Sequence, residues 1–534
     1  MKFILIFWLL FFVPGAFAQV GRAPVSEATE ECLGCHSSLH PGIVEEWQKS
    51  RHARVSPAEG MAIKGRASRI SAEEVPERLQ KTSVGCAECH TLRPDAHGDT
   101  FEHNGAAVHV VVSPGDCAVC HPVEADQYED NIMSYARKNL TDNPVFQDLQ
   151  QTIIGMPNFQ DGELEYRGST PETRAEACYY CHGTHLRFQG LSRRETALGE
   201  MTFPRIAGWP NQGVGRVNLD GTRGSCAACH TRHGFAIEVA RRPHTCKECH
   251  VGPDVPAYKV YSASKHGTIY SSQGQNWEFS TVPWAVGKDF TAPTCAACHI
   301  SLLIDTDGAT VVERTHAMKG RLPWRIFGLI YAHPHPQSPD TTRIRNRDGN
   351  PLPTDFGGGN ASEYLIDGAE QERRTRTMQA VCLSCHSTAW VEGHWRRFEH
   401  TIRETNSRVL TGTRIMEEIW NRGFAGGPAR GESPFDESVE RLWSDTWLFY
   451  ANTIRFASAM AGGGDYGVFA DGRHALSRRI QELHDWLALR KRLFPPKTPI
   501  AEADGSEETI ESPVETDPPS HYFESDEPLA RFFR

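Results

Sequence analysis

The chain has 534 residues, 23% of them charged, with a formal net charge of −11 and a mean hydropathy of −0.47. Acidic residues spread along a chain of this balance argue against nucleic acid as a partner, and the length would ordinarily divide into several domains. Its 16 cysteines and 25 histidines are the informative part of the composition.

The chain opens MKFILIFWLLFFVPGAFA, one Lys followed by a continuous apolar run and a small-residue cleavage pattern after Ala18. Residues 1–18 are therefore expected to be a signal peptide, too short to span a bilayer comfortably. No comparable run follows, so the mature chain is expected to be exported, without a transmembrane segment, to the periplasm or an equivalent extracytoplasmic lumen.

Between residues 19 and 400 every cysteine falls into a copy of Cys-x-x-Cys-His. The eight copies are Cys32/Cys35/His36, Cys86/Cys89/His90, Cys117/Cys120/His121, Cys178/Cys181/His182, Cys226/Cys229/His230, Cys246/Cys249/His250, Cys295/Cys298/His299 and Cys382/Cys385/His386. This is the attachment signature of haem c, in which two thiols add to the vinyl groups and the following His becomes an axial ligand. Zinc sites and disulfides are the alternatives, but neither calls for a His directly after every second Cys. Eight covalently bound haems are expected, with the macrocycles forming much of the core. The stretches between motifs are rich in Gly, Pro, Asn and Asp, as in GWPNQGVGRVNLDGTRGS, and read as loops. The fifth and sixth motifs are so close in sequence that their haems should be in contact.

After residue 400 the pattern changes to apolar spacing of helical period in SRVLTGTRIMEEIW, FDESVERLWSDTWLFYANTIRFASAM and GRHALSRRIQELHDWLALRKRLF. Residues 401–495 are read as a helical oligomerisation domain without cysteine, and 496–534 as an acidic, Pro-rich tail. The fold class expected is mainly α, a multihaem cytochrome c with a haem-packed core and long C-terminal helices.

An electron-transfer haem needs a second axial ligand, whereas a catalytic haem keeps one position open. Sixteen residues after His36 comes Ser50-Arg51-His52, and sixteen after His250 comes Ser264-Lys265-His266. His52 and His266 are thus candidate distal ligands. The matching place after His121 carries Tyr135, so His97 or His109 serves that haem, or the haem is unusual. Further candidates are His103, His233, His316 and His394, while His333, His335, His474, His484 and His521 are assigned to packing or to the surface.

The order of the motifs, with CYYCHGT at the fourth, WPNQGVGRVNLDG before SCAACHTRHGF, then SASKHGTIY, APTCAACH and VCLSCHSTAWVEGH, resembles the octahaem hydroxylamine oxidoreductase family, which includes hydrazine dehydrogenases. The resemblance covers the mature chain except its acidic tail. It implies that the fourth haem, on Cys178, Cys181 and His182, is the open catalytic one. It also implies that Tyr466, in GGGDYGVFADGR, is joined covalently to that haem of a neighbouring subunit, giving a homotrimer or a multiple of trimers. The flanking glycines suit a close approach to a macrocycle. The family places an Asp-His pair over the open site to take protons; here Asp254 matches, but Val255 stands where His is expected. Oxidation of hydroxylamine to nitric oxide or nitrite is the leading expectation, with a soluble c-type cytochrome as electron acceptor. Hydrazine oxidation, reduction of nitrite, nitric oxide or hydroxylamine, and a non-catalytic electron-transfer subunit are the alternatives.

Overall fold

A computed structural model describes residues 22–495, so the expected signal peptide and the acidic tail lie outside the described residues. Residues up to Arg490 form one compact unit; the second unit, from Lys491, contributes to the described residues only the end of a helix and the two residues after it.

The Cys-x-x-Cys-His motifs fold as single tight turns. Cys86–His90, Cys178–His182 and Cys295–His299 are each one short helix. Positions i, i+3 and i+4 share a helix face, so one turn presents both thiols and the imidazole to the same side. The first motif sits in a longer helix, Glu27–Leu39, capped by the Ser26 hydroxyl, which accepts from the Thr29 N–H. Helix Gly368–Leu383 ends on the first cysteine of the eighth motif.

Strands are few and short, all in small sheets. The hairpin of Met156–Gln160 with Glu163–Arg167 turns on Asp161 and Gly162, both at positive φ (55° and 87°). That is the backbone a two-residue hairpin loop demands, and Asp-Gly supplies it at low cost. A longer hairpin, Arg187–Thr196 with Gly199–Ala207, follows the fourth motif.

Helical periodicity in the last third is borne out. Helix Thr388–Asn421 buries Val391, Trp395, Phe398, Ile402, Val409, Met416 and Ile419 along one stripe, the spacing of an amphipathic face. Residues 400 and 401 lie inside this helix, so the change of composition there is no break in the chain. Ser438–Asp445 runs through a π-helical turn, Thr446–Tyr450, into Ala451–Ala459, and Arg473–Leu493 closes the region. These helices share an apolar core in which Trp420, Trp443, Trp447, Met416, Ile419 and Leu483 are buried. No helix among the described residues is long and apolar enough to cross a membrane.

Candidate functional site

The motif-bearing part of the chain encloses one continuous cavity of about 2210 Å³. Its walls carry cysteines or histidines from seven of the motifs, the second to the eighth, including Cys89, Cys120, Cys181, His230, Cys246, His299 and Cys385. Protein interiors hold few voids larger than a water molecule, and this space is far larger than that. The interior is built around something that fills it.

The imidazoles identify the filler. His36 and His103 have ring centroids 6.3 Å apart, His52 and His121 6.4 Å, His230 and His316 6.5 Å, and His266 and His386 6.2 Å. A metal ion bound at about 2 Å by each of two rings requires about this separation. His90 gives its Nδ1 proton to the His109 carbonyl (2.8 Å) and His182 to the Ala136 carbonyl (3.2 Å), leaving Nε2 of each free to ligate; such partners fix the tautomer of a ligating His. Burial holds His52, His230, His233, His299 and His316 down at about 4, so they are neutral near pH 7, as metal ligation requires. The residues fit haem.

The thiols give the order of the sites. Cys32 meets Cys86, Cys89 lies near Cys120, Cys117 meets Cys226, and Cys229 lies near Cys246. Cys246 meets Cys295, and Cys298 lies near Cys382. Cys181 of the fourth motif meets Cys249 of the sixth. In space the motifs therefore run one, two, three, five, six, seven, eight, with the fourth branching from the sixth. The fifth and sixth motifs, whose haems were expected in contact, are neighbours in this order through Cys229 and Cys246.

Of the expected distal histidines, His52, His103, His266 and His316 face a motif histidine as above. His233 lies near His90. His394 is buried, lines the cavity and stacks on Trp390, which stacks on His386. The Tyr135 slot is explained differently from either expectation. His52 already faces His121, and Tyr135 instead sits under the Arg223 guanidinium (4.5 Å), which donates to its hydroxyl. His97 and His109 stack on each other elsewhere, 3.8 Å between centroids.

Sequence reasoning missed His335. Assigned there to packing, it is buried, lines the cavity, and hydrogen-bonds through Nδ1 to the Pro336 carbonyl, which frees Nε2. Its neighbour His333 is also buried but is not on the cavity wall.

His250, His299 and, at the fourth motif, His182 face no histidine ring among the described residues. Burial lowers the proton affinity of His182, the Ala136 hydrogen bond raises it, and Asp254 and Arg325 act on it from nearby in opposite senses. Asp254 lines the cavity, and its backbone carbonyl accepts from Asn452 Nδ2 (2.9 Å) on helix Ala451–Ala459. Val255 packs against the apolar cluster of Val260, Phe456 and Ala457. Arg325 also lines the cavity and stacks on Phe327 (4.8 Å), with no hydrogen bond or ion pair among the described residues. His244 is hydrogen-bonded to the Tyr270 hydroxyl (3.3 Å), and neither it nor His185 lines the cavity.

Tyr466 is half-buried outside the cavity of its own chain. Its hydroxyl donates to Asp471 (3.1 Å), and burial, with that carboxylate, pushes the phenol up to about 12. Gly463 and Gly467 pack closely against Ala457, where a side chain would crowd the Ala457 methyl.

A family model described as seven-times multihaem cytochrome CxxCH matches residues 213–316. A solved "hypothetical multiheme protein" superposes with a TM-score of 0.83 at 36% identity, covering 88% of this chain and 97% of that one. The chain belongs to the multihaem c-type cytochromes. A curated relative, a probable nitrite reductase–hydroxylamine oxidoreductase fusion protein of Kuenenia stuttgartiensis, is 26% identical over 441 residues, 79% of this cytochrome but only 42% of the relative. The cytochrome thus spans less than half the length of that relative. A reducing HAO-like protein complex of the same organism shares the fold, with a TM-score of 0.57 at 17% identity over 88% of this chain and 86% of that one.

Proposed function

We propose that this cytochrome carries eight haems c and oxidises hydroxylamine, to nitric oxide or nitrite, at the fourth, passing electrons to a soluble c-type cytochrome outside the cytoplasm. The observation that carries the reading is the place of the fourth motif, a terminal branch off the series at the sixth, with His182 facing no histidine ring among the described residues and with Asp254 acting on both His182 and His250. Haem c bound there supplies an open iron position and a one-electron couple. The chain's own residues supply the rest. His182, its Nδ1 proton fixed on Ala136, serves as the proximal ligand. Asp254, tethered through its backbone to Asn452, takes protons as electrons leave. His335 completes, with His52, His103, His233, His266, His316 and His394, the seven distal ligands for the other sites. The branch at the sixth motif gives electrons one entry into the series.

Tyr466 is assigned the covalent link to the fourth haem of a neighbouring subunit, with the helices after residue 400 at a trimer interface. Its place outside the cavity of its own chain accords with a role toward another copy.

A second reading is reduction of nitrite. Two observations favour it: Val255 cannot accept a proton, and Arg325 offers an unpaired cation to an anionic substrate on the same cavity wall. One experiment separates the two. A haem-stained band of trimer size that survives denaturation, lost in Tyr466→Phe, together with turnover of hydroxylamine by the parent, is the result expected for oxidation. A clean monomer that consumes nitrite when supplied with reductant would overturn it in favour of the second reading.

A further inference from the structure

Behind His90, on the side away from its ligating nitrogen, lies a buried polar cluster that haem attachment does not account for. His97, Asp99, His109 and Asp116 are all buried. Three side-chain atoms in it have no hydrogen-bond partner among the described residues: His97 Nδ1, Asp99 Oδ1 and His109 Nε2. Orphaned buried polar atoms are rare and costly, about 1–3 kcal/mol each, and call for a reason.

The cluster is not a metal cage. The rings of His97 and His109 are parallel to within 1° at 3.8 Å, and a metal ion lies near the plane of each imidazole that ligates it. One ion cannot lie in both planes. Asp116 is moreover already used, accepting from Arg93 Nε (2.8 Å), the Ser113 N–H (2.7 Å) and His97 Nε2 (3.1 Å).

The hydrogen bonds instead converge on His90. Its Nδ1 donates to the His109 carbonyl (2.8 Å), and the His109 N–H donates back to the His90 carbonyl (2.9 Å). The segment holding that carbonyl is clamped twice. The His109 ring donates through Nδ1 to the Val111 carbonyl (3.0 Å), and Asp99 Oδ2 accepts from the N–H groups of Val110 (2.8 Å) and Val111 (2.9 Å). Asp99 has no exposed side-chain surface, and the nearest cationisable group, His97 Nδ1, stands 3.8 Å from Oδ1, beyond hydrogen bonding. Asp116 joins the same cluster to the third motif, since it caps the helix Pro114–Cys117 on which Cys117 sits.

We propose that Asp99, acting through the Val110–Val111 clamp and the His109 carbonyl, is a positioning residue that sets the midpoint potential of the haem at the second motif. The clamp fixes the proton of His90 on Nδ1 and sharpens its donor strength toward iron. The buried carboxylate adds a negative charge that favours the oxidised, more positive form, and low local dielectric makes that charge felt. Both effects lower the potential of this haem relative to its neighbours. It stands between the first motif, where Cys35 is solvent-exposed, and the third. The second haem then acts as a threshold that retards electron escape through the first. The inference rests on haem at the second motif and is independent of the substrate.

The test is a spectroelectrochemical titration of the purified holoprotein and of Asp99→Asn. Asparagine keeps the acceptor for both N–H groups and removes the charge. One midpoint should rise, the remaining ones should stay in place, and Asp99→Glu should restore the parent value. If Asp99→Asn does not mature, Asp99→Ser, which keeps a hydroxyl acceptor without charge, must show the same single rise. Unchanged midpoints in the neutral variant, or equal shifts in the neutral and Glu variants, would overturn the proposal.

Discussion

The two halves of the molecule solve the problem of an interior in opposite ways. The helices after residue 400 close on tryptophan against tryptophan: Trp443 has its ring 5.3 Å from Trp420 and 5.6 Å from Trp447, and its indole N–H reaches the Thr413 hydroxyl at 3.0 Å. The motif-bearing region has an apolar cluster of its own around Trp284, Phe279 and Phe290, but much of its interior is a cavity walled by cysteine and histidine. The first interior is made by the chain itself; the second is made by the chain together with the haem that its motifs hold. The lesson is that the stability of one protein can rest on two physical sources, apolar burial and covalent haem.

The largest expected effect separates those sources outright. Chain produced without haem attachment should lose ordered structure across the motif-bearing region, because the side chains there line a space of about 2210 Å³ that close packing of a protein interior does not leave open. Far-UV circular dichroism and limited proteolysis of haem-free chain check this. A protease-resistant, fully helical apo-chain would mean that the cavity collapses onto apolar contacts and that the contrast is false.

Trp443→Ala attacks the other interior. Truncating a fully buried tryptophan costs about 3–5 kcal/mol, and Trp443 is only 1% exposed. Thermal or denaturant unfolding should shift by that amount, while the c-type absorption bands and the potentials stay in place. A change of haem spectra would show that the two interiors are coupled.

Much of this architecture was legible in the sequence, for definite reasons. Cys-x-x-Cys-His encodes its own chemistry, and the periodicity from Ser407 to Trp420 encodes a helix face. His52 and His266 were legible because each repeats the same local pattern after a motif. What could not be read was pairing. His52 follows the first motif yet faces the third, and His266 follows the sixth yet faces the eighth. The facing pairs skip along the chain because the motifs are arranged in space in an order that differs from that of the sequence. His335 was hidden for a related reason: it sits in HPHP, far from any motif, and only the folding of the short pair Trp324–Arg325 and His333–Pro334 brings it to the cavity wall. Asp99 carries no local sequence pattern that sets it apart.

The smallest expected effect lies in the apolar core and carries a sign. Glu440 is fully buried, and burial raises its carboxyl to about 7, although the Trp420 indole N–H (2.7 Å) and the Glu437 N–H (3.1 Å) both donate to it and pull the other way. The ordinary value of 4.5 applies in the unfolded chain. Between these two values the folded protein binds more protons than the unfolded, so stability is full below about 4.5 and falls as pH rises towards 7, levelling off above it. The loss amounts to at most about 3 kcal/mol, since each tenfold difference in proton affinity between the folded and unfolded chains is worth about 1.4 kcal/mol. Glu440→Gln keeps an oxygen for the Trp420 N–H and has nothing to ionise. Its unfolding free energy should therefore lose this slope between pH 5 and 7, and the variant should match the parent near pH 5 and exceed it near pH 8. Equal slopes in parent and variant would show that water reaches Glu440 and that this core is less dry than its tryptophans suggest.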